Sequence, residues 1–194
     1  GFLDPGLAWS AFVEPALQGL GAKAGALVFQ LSPLAPAMLA RMPHWIERLQ
    51  AMLAALPPLE RLRAQAPDLV IAVEVRNAEW LTPAFAQALR AGGATYCLGG
   101  HAKLPVLRAL WPGPMVCRWN LNRLHGAYGY EDAKALYLPF DKLVDPDLET
   151  REALARVARA TTAAGHHAYL TIGNKAEGSA PLSVEAMARL LAQP

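Results

Sequence analysis

The stretch Ile71-Ala72-Val73-Glu74-Val75-Arg76-Asn77-Ala78-Glu79-Trp80 sets a carboxylate and a guanidinium two residues apart at the end of an apolar, β-branched run. The run predicts a buried strand. Strand side chains repeat every two residues, so Glu74 and Arg76 fall on one side of it, at its C-terminal end. Charges placed there are costly unless they pair with each other or face a ligand. Two readings stay open: a structural ion pair closing a core strand, or a base preorganised beside an anion clamp.

The same arrangement recurs along the chain. Gln30 closes the apolar run that starts at Gly25, and His101 follows the run Ala94 to Leu98. Arg118 and Asn120 close Met115 to Trp119, and Asn174 and Lys175 follow His167 to Ile172. In parallel α/β folds the C-terminal strand ends emerge on one face, where ligands bind. A solvated surface position accounts for any one of these residues; five polar strand ends in succession point to a ligand site.

The chemistry of the set is specific. Arg76, Arg118 and Lys175 carry fixed positive charge, Gln30, Asn120 and Asn174 carry amides, and Glu74 is the lone strand-end carboxylate. This suits an anionic or hydroxyl-rich small molecule such as a sugar phosphate, or a nucleic-acid backbone. The candidate catalytic residues are Glu74 as base and His125 as acid or second base. The candidate substrate-binding residues are Gln30, Arg76, Trp80, His101, Arg118, Asn120, Asn174 and Lys175. The bland alternative for His125 and His101 is a loop histidine bonded to backbone. For Trp80, Tyr128 and Tyr130 it is loop packing rather than stacking on a base or sugar. Trp119 points away from Arg118 and is expected in the core. No cofactor is identified. A divalent metal would need ligands outside this chain, because only Glu74, His101 and His125 are plausible donors. Nucleotide-binding glycine motifs and a Ser-His-Asp arrangement are absent from the sequence.

Composition bounds these readings. The 194 residues are 54% apolar and 18% charged, enough for one well-cored domain spanning 1–194. A formal charge of +2 is too small to argue for nucleic acid by bulk electrostatics. Cys97 and Cys117 lie in apolar runs and read as buried thiols of a reducing cytoplasm. No apolar run reaches the ~18 residues of a membrane span, so no membrane partner is expected. The chain opens at Gly1 and enters a helical pattern almost at once, from which an upstream portion is expected.

The elements that must position the candidates alternate. Helical spacing covers about 5–20, with Pro15 inside it, then 43–56 behind Pro43, and a shorter helix at 59–65. Thr82-Pro83 cap a helix to Ala91, and a short helix is expected over 104–110. Further helices are expected at 131–137, 148–164 and 183–192, the last with Glu185 and Arg189 at i, i+4. Five short apolar strands between these helices mean parallel βαβ units. Either an open doubly wound sheet or part of a (β/α)₈ TIM-type barrel satisfies that pattern.

The motifs Phe29-Gln30-Leu31-Ser32-Pro33, Glu74-Val75-Arg76-Asn77-Ala78-Glu79-Trp80 and Asn174-Lys175-Ala176-Glu177-Gly178-Ser179-Ala180 resemble the domain of unknown function 72 family, also called YecE-like. There the corresponding patterns run Phe-Gln-Leu-Pro-Pro, Glu-Phe-Arg-x-x-x-Trp and Phe-Asn-Asn-x-x-x-Gly-x-Ala. Arg118 and Arg123-Leu124-His125-Gly126 are similar to the family's Arg-Leu-His-Gly region. Ser32 and Gly173 depart from the pattern, standing for a proline and an asparagine. The resemblance implies a (β/α)₈ barrel of about 250 to 300 residues, of which about five βα units are present here. It implies no established activity; the barrel's likeness to metal-dependent nucleases and sugar isomerases is a fold-level analogy. Three functions follow as expectations. The first is an enzyme acting on a phosphorylated or sugar-like molecule at the strand ends. The second is a nucleic-acid binder or nuclease using the same cations, and the third is an inactive, incomplete barrel.

Overall fold

The computed structural model describes residues 1–100, 111–126 and 129–193. The chain is an α/β protein whose contacts divide it into two compact units, Gly1–Cys97 and Leu98–Pro194. The expected helix over 104–110 lies outside the described residues.

The first unit opens on a helical run, α1. It comprises Pro5–Ala8, a π-helical stretch Trp9–Val13, and Glu14–Leu20. Pro15 explains the π stretch. Proline inside an α-helix loses a hydrogen bond and clashes with the carbonyl four residues back. The wider turn, in which the Glu14 N–H reaches the Trp9 carbonyl, lets the helix continue through it. Strand β1 (Ala26–Gln30) follows, then the short α2 (Pro36–Leu39), α3 (Met42–Ala54) and α4 (Leu59–Arg63). Strand β2 (Val70–Glu74) is buried along its whole length, as its β-branched run predicts. Beyond it lie a 3₁₀ turn at Ala78–Trp80 and α5 (Pro83–Ala91), which Thr82 caps by accepting the Phe85 N–H at 3.2 Å. Strand β3 (Ala94–Gly99) comes next. β1 and β3 each pair with β2 in parallel, the β1–β2 register running from Ala26 opposite Val70 to Gln30 opposite Glu74. Helix α3 packs against α1 and α5. Val13, Leu49, Leu69, Phe85 and Leu89 are fully excluded from solvent.

The second unit carries β4 (Met115–Trp119), a 3₁₀ turn at Arg123–His125, α6 (Tyr130–Tyr137), α7 (Leu148–Ala163), β5 (Ala168–Ile172), a 3₁₀ turn at Asn174–Ala176 and α8 (Ala180–Leu191). β4 and β5 pair in parallel, with Arg118 opposite Thr171. The Gly100 N–H reaches the Arg118 carbonyl at 3.3 Å. Met115, Cys117 and Trp119 are buried, and α7 and α8 pack on each other and on β5. Asp147 caps α7 through the Thr150 N–H at 3.0 Å. Helix α8 starts three residues before the expected Ser183, because Pro181 in its first turn and the Asn174 side chain, which accepts the Ala180 N–H, supply a helix start that apolar spacing does not register. Glu185 and Arg189 form the expected i, i+4 pair at 2.5 Å. Both cysteines are buried thiols. No helix among the described residues is long and apolar enough to cross a membrane.

Candidate functional site

Parallel pairing brings three of the first unit's candidates to the C-terminal ends of β1 and β2. Gln30 and Glu74 are register partners, and the Leu31 N–H donates to the Glu74 carbonyl at 2.8 Å. Glu74 is buried, while Arg76 stands beyond the strand end with its side chain 43% exposed, its Nη2 3.0 Å from Glu74 Oε1. The carboxylate is thus held by a partly exposed cation. Asn77, which the sequence reading passed over, accepts the Leu34 N–H through its Oδ1 at 2.7 Å. That bond ties the segment after Phe29-Gln30-Leu31-Ser32-Pro33 to the loop after β2, so two of the sequence motifs dock on each other. Beside Gln30 a cleft of about 320 Å³ is lined mainly by apolar residues, among them Leu3, Leu7, Phe12 and Val28.

Trp80 is a correction. Expected among the substrate-binding residues, it is instead wholly buried, its indole 5.8 Å from the Phe85 ring. The 3₁₀ turn swings it inward, where it fills core volume and has no face to offer a ligand. His101, Tyr128 and any part they play lie outside the described residues.

The second unit assembles the richer cluster. Asn122 organises its loop: the side chain Oδ1 accepts the Leu124 N–H at 3.0 Å, and Nδ2 donates to the Asp145 carbonyl at 2.9 Å. The Asn122 N–H donates to the Lys175 carbonyl at 2.9 Å, and its carbonyl accepts the His125 N–H at 3.2 Å. One asparagine thus fixes the backbones of His125, Asp145 and Lys175 together. His125 Nε2 lies 2.7 Å from the Tyr137 hydroxyl, which donates to Asp145 Oδ2 at 2.8 Å. Burial, then the bond to Asp145, pushes the Tyr137 hydroxyl far above the ordinary phenol range, so it keeps its proton. Position 129 must be glycine for α6 to approach this histidine, because a Cβ there would sit 2.1 Å from the His125 carbonyl oxygen.

Lys175 is held by rings. Its Nζ lies 3.8 Å from the Tyr130 ring centroid and 5.7 Å from that of Phe140, and no carboxylate among the described residues pairs with it. Aromatic faces attract an ammonium through the ring quadrupole without using up the hydrogen-bond acceptors of an anion. Arg118 and Asn120 stand at the end of β4, both half-buried. Asn174 is committed locally: its Oδ1 accepts the Ala180 N–H at 2.8 Å at the start of α8. Arg123 is occupied by Asp147 and Glu149, with its Nε 3.5 Å from Asp147 Oδ2. Behind the cluster Glu177, fully buried, pairs with Arg151 at 2.8 Å and accepts the Asp147 N–H at 2.7 Å. Its carbonyl takes the Val144 and Asp145 N–H groups at 2.7 and 3.2 Å. Gly178 (φ 117°) turns the chain there, and a Cβ would meet the Lys142 carbonyl oxygen at 2.5 Å. Among the described residues no three His, Cys, Asp or Glu side chains group as metal ligands.

The model of the family described as "Protein of unknown function DUF72" matches residues 4–194. The chain belongs to the DUF72 family. Among solved structures, this DUF72 chain is similar to a DUF72 family protein from Thermotoga maritima MSB8, at 16% identity and a TM-score of 0.54, over 93% of this chain and 62% of that one. It is likewise similar to a DUF72 family protein from Enterococcus faecalis V583, at 15% identity and a TM-score of 0.51, over 87% of this chain and 61% of that one. The chain spans about three-fifths of the length of these relatives. At such identities the likeness is one of fold. No curated protein matches it.

Proposed function

We propose that this DUF72 chain is an enzyme acting on a phosphorylated or sugar-like small molecule at its strand ends. The observation that carries the proposal is the β4–β5 end of the second unit. There, His125 is hydrogen-bonded to a buried Tyr137 backed by Asp145, and its backbone is linked through Asn122 to Lys175, an ammonium resting on rings. A positioned imidazole supplies acid or base, and a cation without a carboxylate partner among the described residues supplies anion binding. Arg118 and Asn120 add a second cation and an amide, and Asn174 contributes the amide nitrogen left over from its capping bond. Within the first unit, Glu74 serves as base and Gln30 and Arg76 as ligand contacts. The ion pair to Arg76 orients the carboxylate.

The fold reading that accompanies this is five βα units of an eight-unit barrel in a single domain. It is supported by the 61% and 62% shares of the relatives' chains, close to five-eighths, and by parallel pairing within each unit. In that fold the C-terminal strand ends are where substrates bind.

Turnover of a panel of sugar phosphates and phosphorylated metabolites by the purified protein tests the proposal. An active compound should lose turnover with His125→Gln and with Glu74→Gln while the fold is unchanged by circular dichroism. Full turnover by Glu74→Gln would remove the base assignment. Binding of nucleic acid that weakens steeply with salt, in place of saturable small-molecule turnover, would replace the enzyme reading by a backbone-binding one.

A further inference from the structure

The hydrogen bonds around Tyr137 have a direction that follows from donor counting. An ionised carboxylate only accepts, so the bond to Asp145 Oδ2 uses the one proton that the Tyr137 hydroxyl owns. The phenol oxygen can then only accept from His125 Nε2, at 2.7 Å. Nε2 must carry a proton, and in a neutral imidazole the lone pair then resides on Nδ1. Tyr137 is 1% exposed, so water is not at hand to reverse the chain. Asp145 is itself immobilised: its N–H and that of Val144 reach the Glu177 carbonyl, and its carbonyl takes the Asn122 amide at 2.9 Å. Its Oδ2 also lies 3.9 Å from His125 Nε2.

We propose that Tyr137 and Asp145 are positioning residues that hold neutral His125 as its Nε2–H tautomer and so make Nδ1 the nitrogen that takes the substrate's proton. The inference rests on the reading of His125 as an acid or base of the site and specifies which nitrogen acts. In the step, an X–H bond of the substrate breaks and an Nδ1–H bond forms, with the electron pair left on X. The ring becomes an imidazolium whose Nε2–H still points at Tyr137. The Tyr137 proton stays on the phenol, donated to Asp145, so the new positive charge faces a hydroxyl dipole with a carboxylate behind it. The same ring then returns the proton from Nδ1. The substrate class is an anion with a removable proton on a hydroxyl or on a carbon next to a carbonyl.

Long-range nitrogen–proton correlation spectra of the ¹⁵N-labelled protein, recorded above the titration of histidine, read the tautomer directly. Expected is a single Nε2–H form of His125 with an unprotonated Nδ1 and an Nε2 proton protected from exchange. In Tyr137→Phe that proton should exchange too fast to observe. With an active substrate in hand, Tyr137→Phe should lower kcat about 10–100-fold with KM unchanged. A His125 ring protonated on Nδ1, or an Nε2 proton equally protected in Tyr137→Phe, would overturn the inference whatever the activity. If His125→Gln kept full turnover while the Nε2–H form was found, the reading of His125 as acid or base would fail and the hydrogen-bond assignment would stand.

Discussion

Removing the charge of Glu177 should unfold the second unit far more readily than its distance from the strand-end residues suggests. The carboxylate is completely buried, and Arg151 Nη2 and Nε lie 2.8 and 3.0 Å from its two oxygens. Glu177→Gln keeps the shape and an acceptor for the Asp147 N–H but leaves Arg151, a residue only 8% exposed, without its counter-charge. Breaking a buried pair from one side costs about 3–5 kcal/mol. For a chain of this size each kcal/mol lowers Tm by about 2–4 °C, so the drop should be roughly 6–20 °C. Urea unfolding followed by circular dichroism gives the free energy, with the slope expected to be unchanged. The double variant Arg151→Met with Glu177→Leu should recover most of the loss, because both desolvation costs vanish together. A Glu177→Gln protein within about 1 kcal/mol of the parent would refute the reasoning, since a deviation that small is typical of surface substitutions.

Other outcomes follow from the same structure. Native Tyr137 keeps its proton where the unfolded chain releases it near pH 10, so the unfolded state binds fewer protons there and stability falls as pH rises past about 10. The slope approaches 1.36 kcal/mol per pH unit from this group, and Tyr137→Phe should show a shallower alkaline limb in urea unfolding. Lys175→Met should cost no more than about 1 kcal/mol, the scale of a half-exposed cation–π contact, yet abolish any phosphate-dependent shift seen by NMR. Gly173→Ala should stabilise by about 0.4–1 kcal/mol, because its backbone is extended and a Cβ meets Asn120 at an ordinary 3.5 Å. Gly129→Ala should destabilise by at least about 1–3 kcal/mol, because its Cβ would overlap the His125 carbonyl. Thermal melts of the two glycine variants should therefore move in opposite directions.

How much of this was legible in the sequence depends on the range of the interaction. Strands β2 and β4 could be read from period and residue type because burial along one strand is a local property. The proximity of Gln30 to Glu74, and of Arg76 to Glu74, followed from strand ends alone. Trp80, open in the sequence to stacking on a ligand or packing in its loop, packs against Phe85, a contact that only the fold supplies. Tyr137 and Asp145 carried no signal: one looks like a helix-packing tyrosine, the other like a helix-start acid. Only folding sets them 12 and 20 residues past His125 against its ring. Asn122 and Glu177 were hidden for the same reason, since each works through the backbone of a segment remote in sequence.

The account turns on whether the second unit's strand ends hold an anionic small molecule. Titrating the ¹⁵N-labelled protein with sugar phosphates, with inorganic phosphate as control, and following amide and side-chain resonances tests that most directly. The account predicts saturable shifts at Arg118, Asn120, His125 and Lys175, larger for a sugar phosphate than for phosphate, and lost in Lys175→Met. Shifts that stay linear in ligand concentration, scatter over exposed lysines and arginines, and survive Lys175→Met would contradict it.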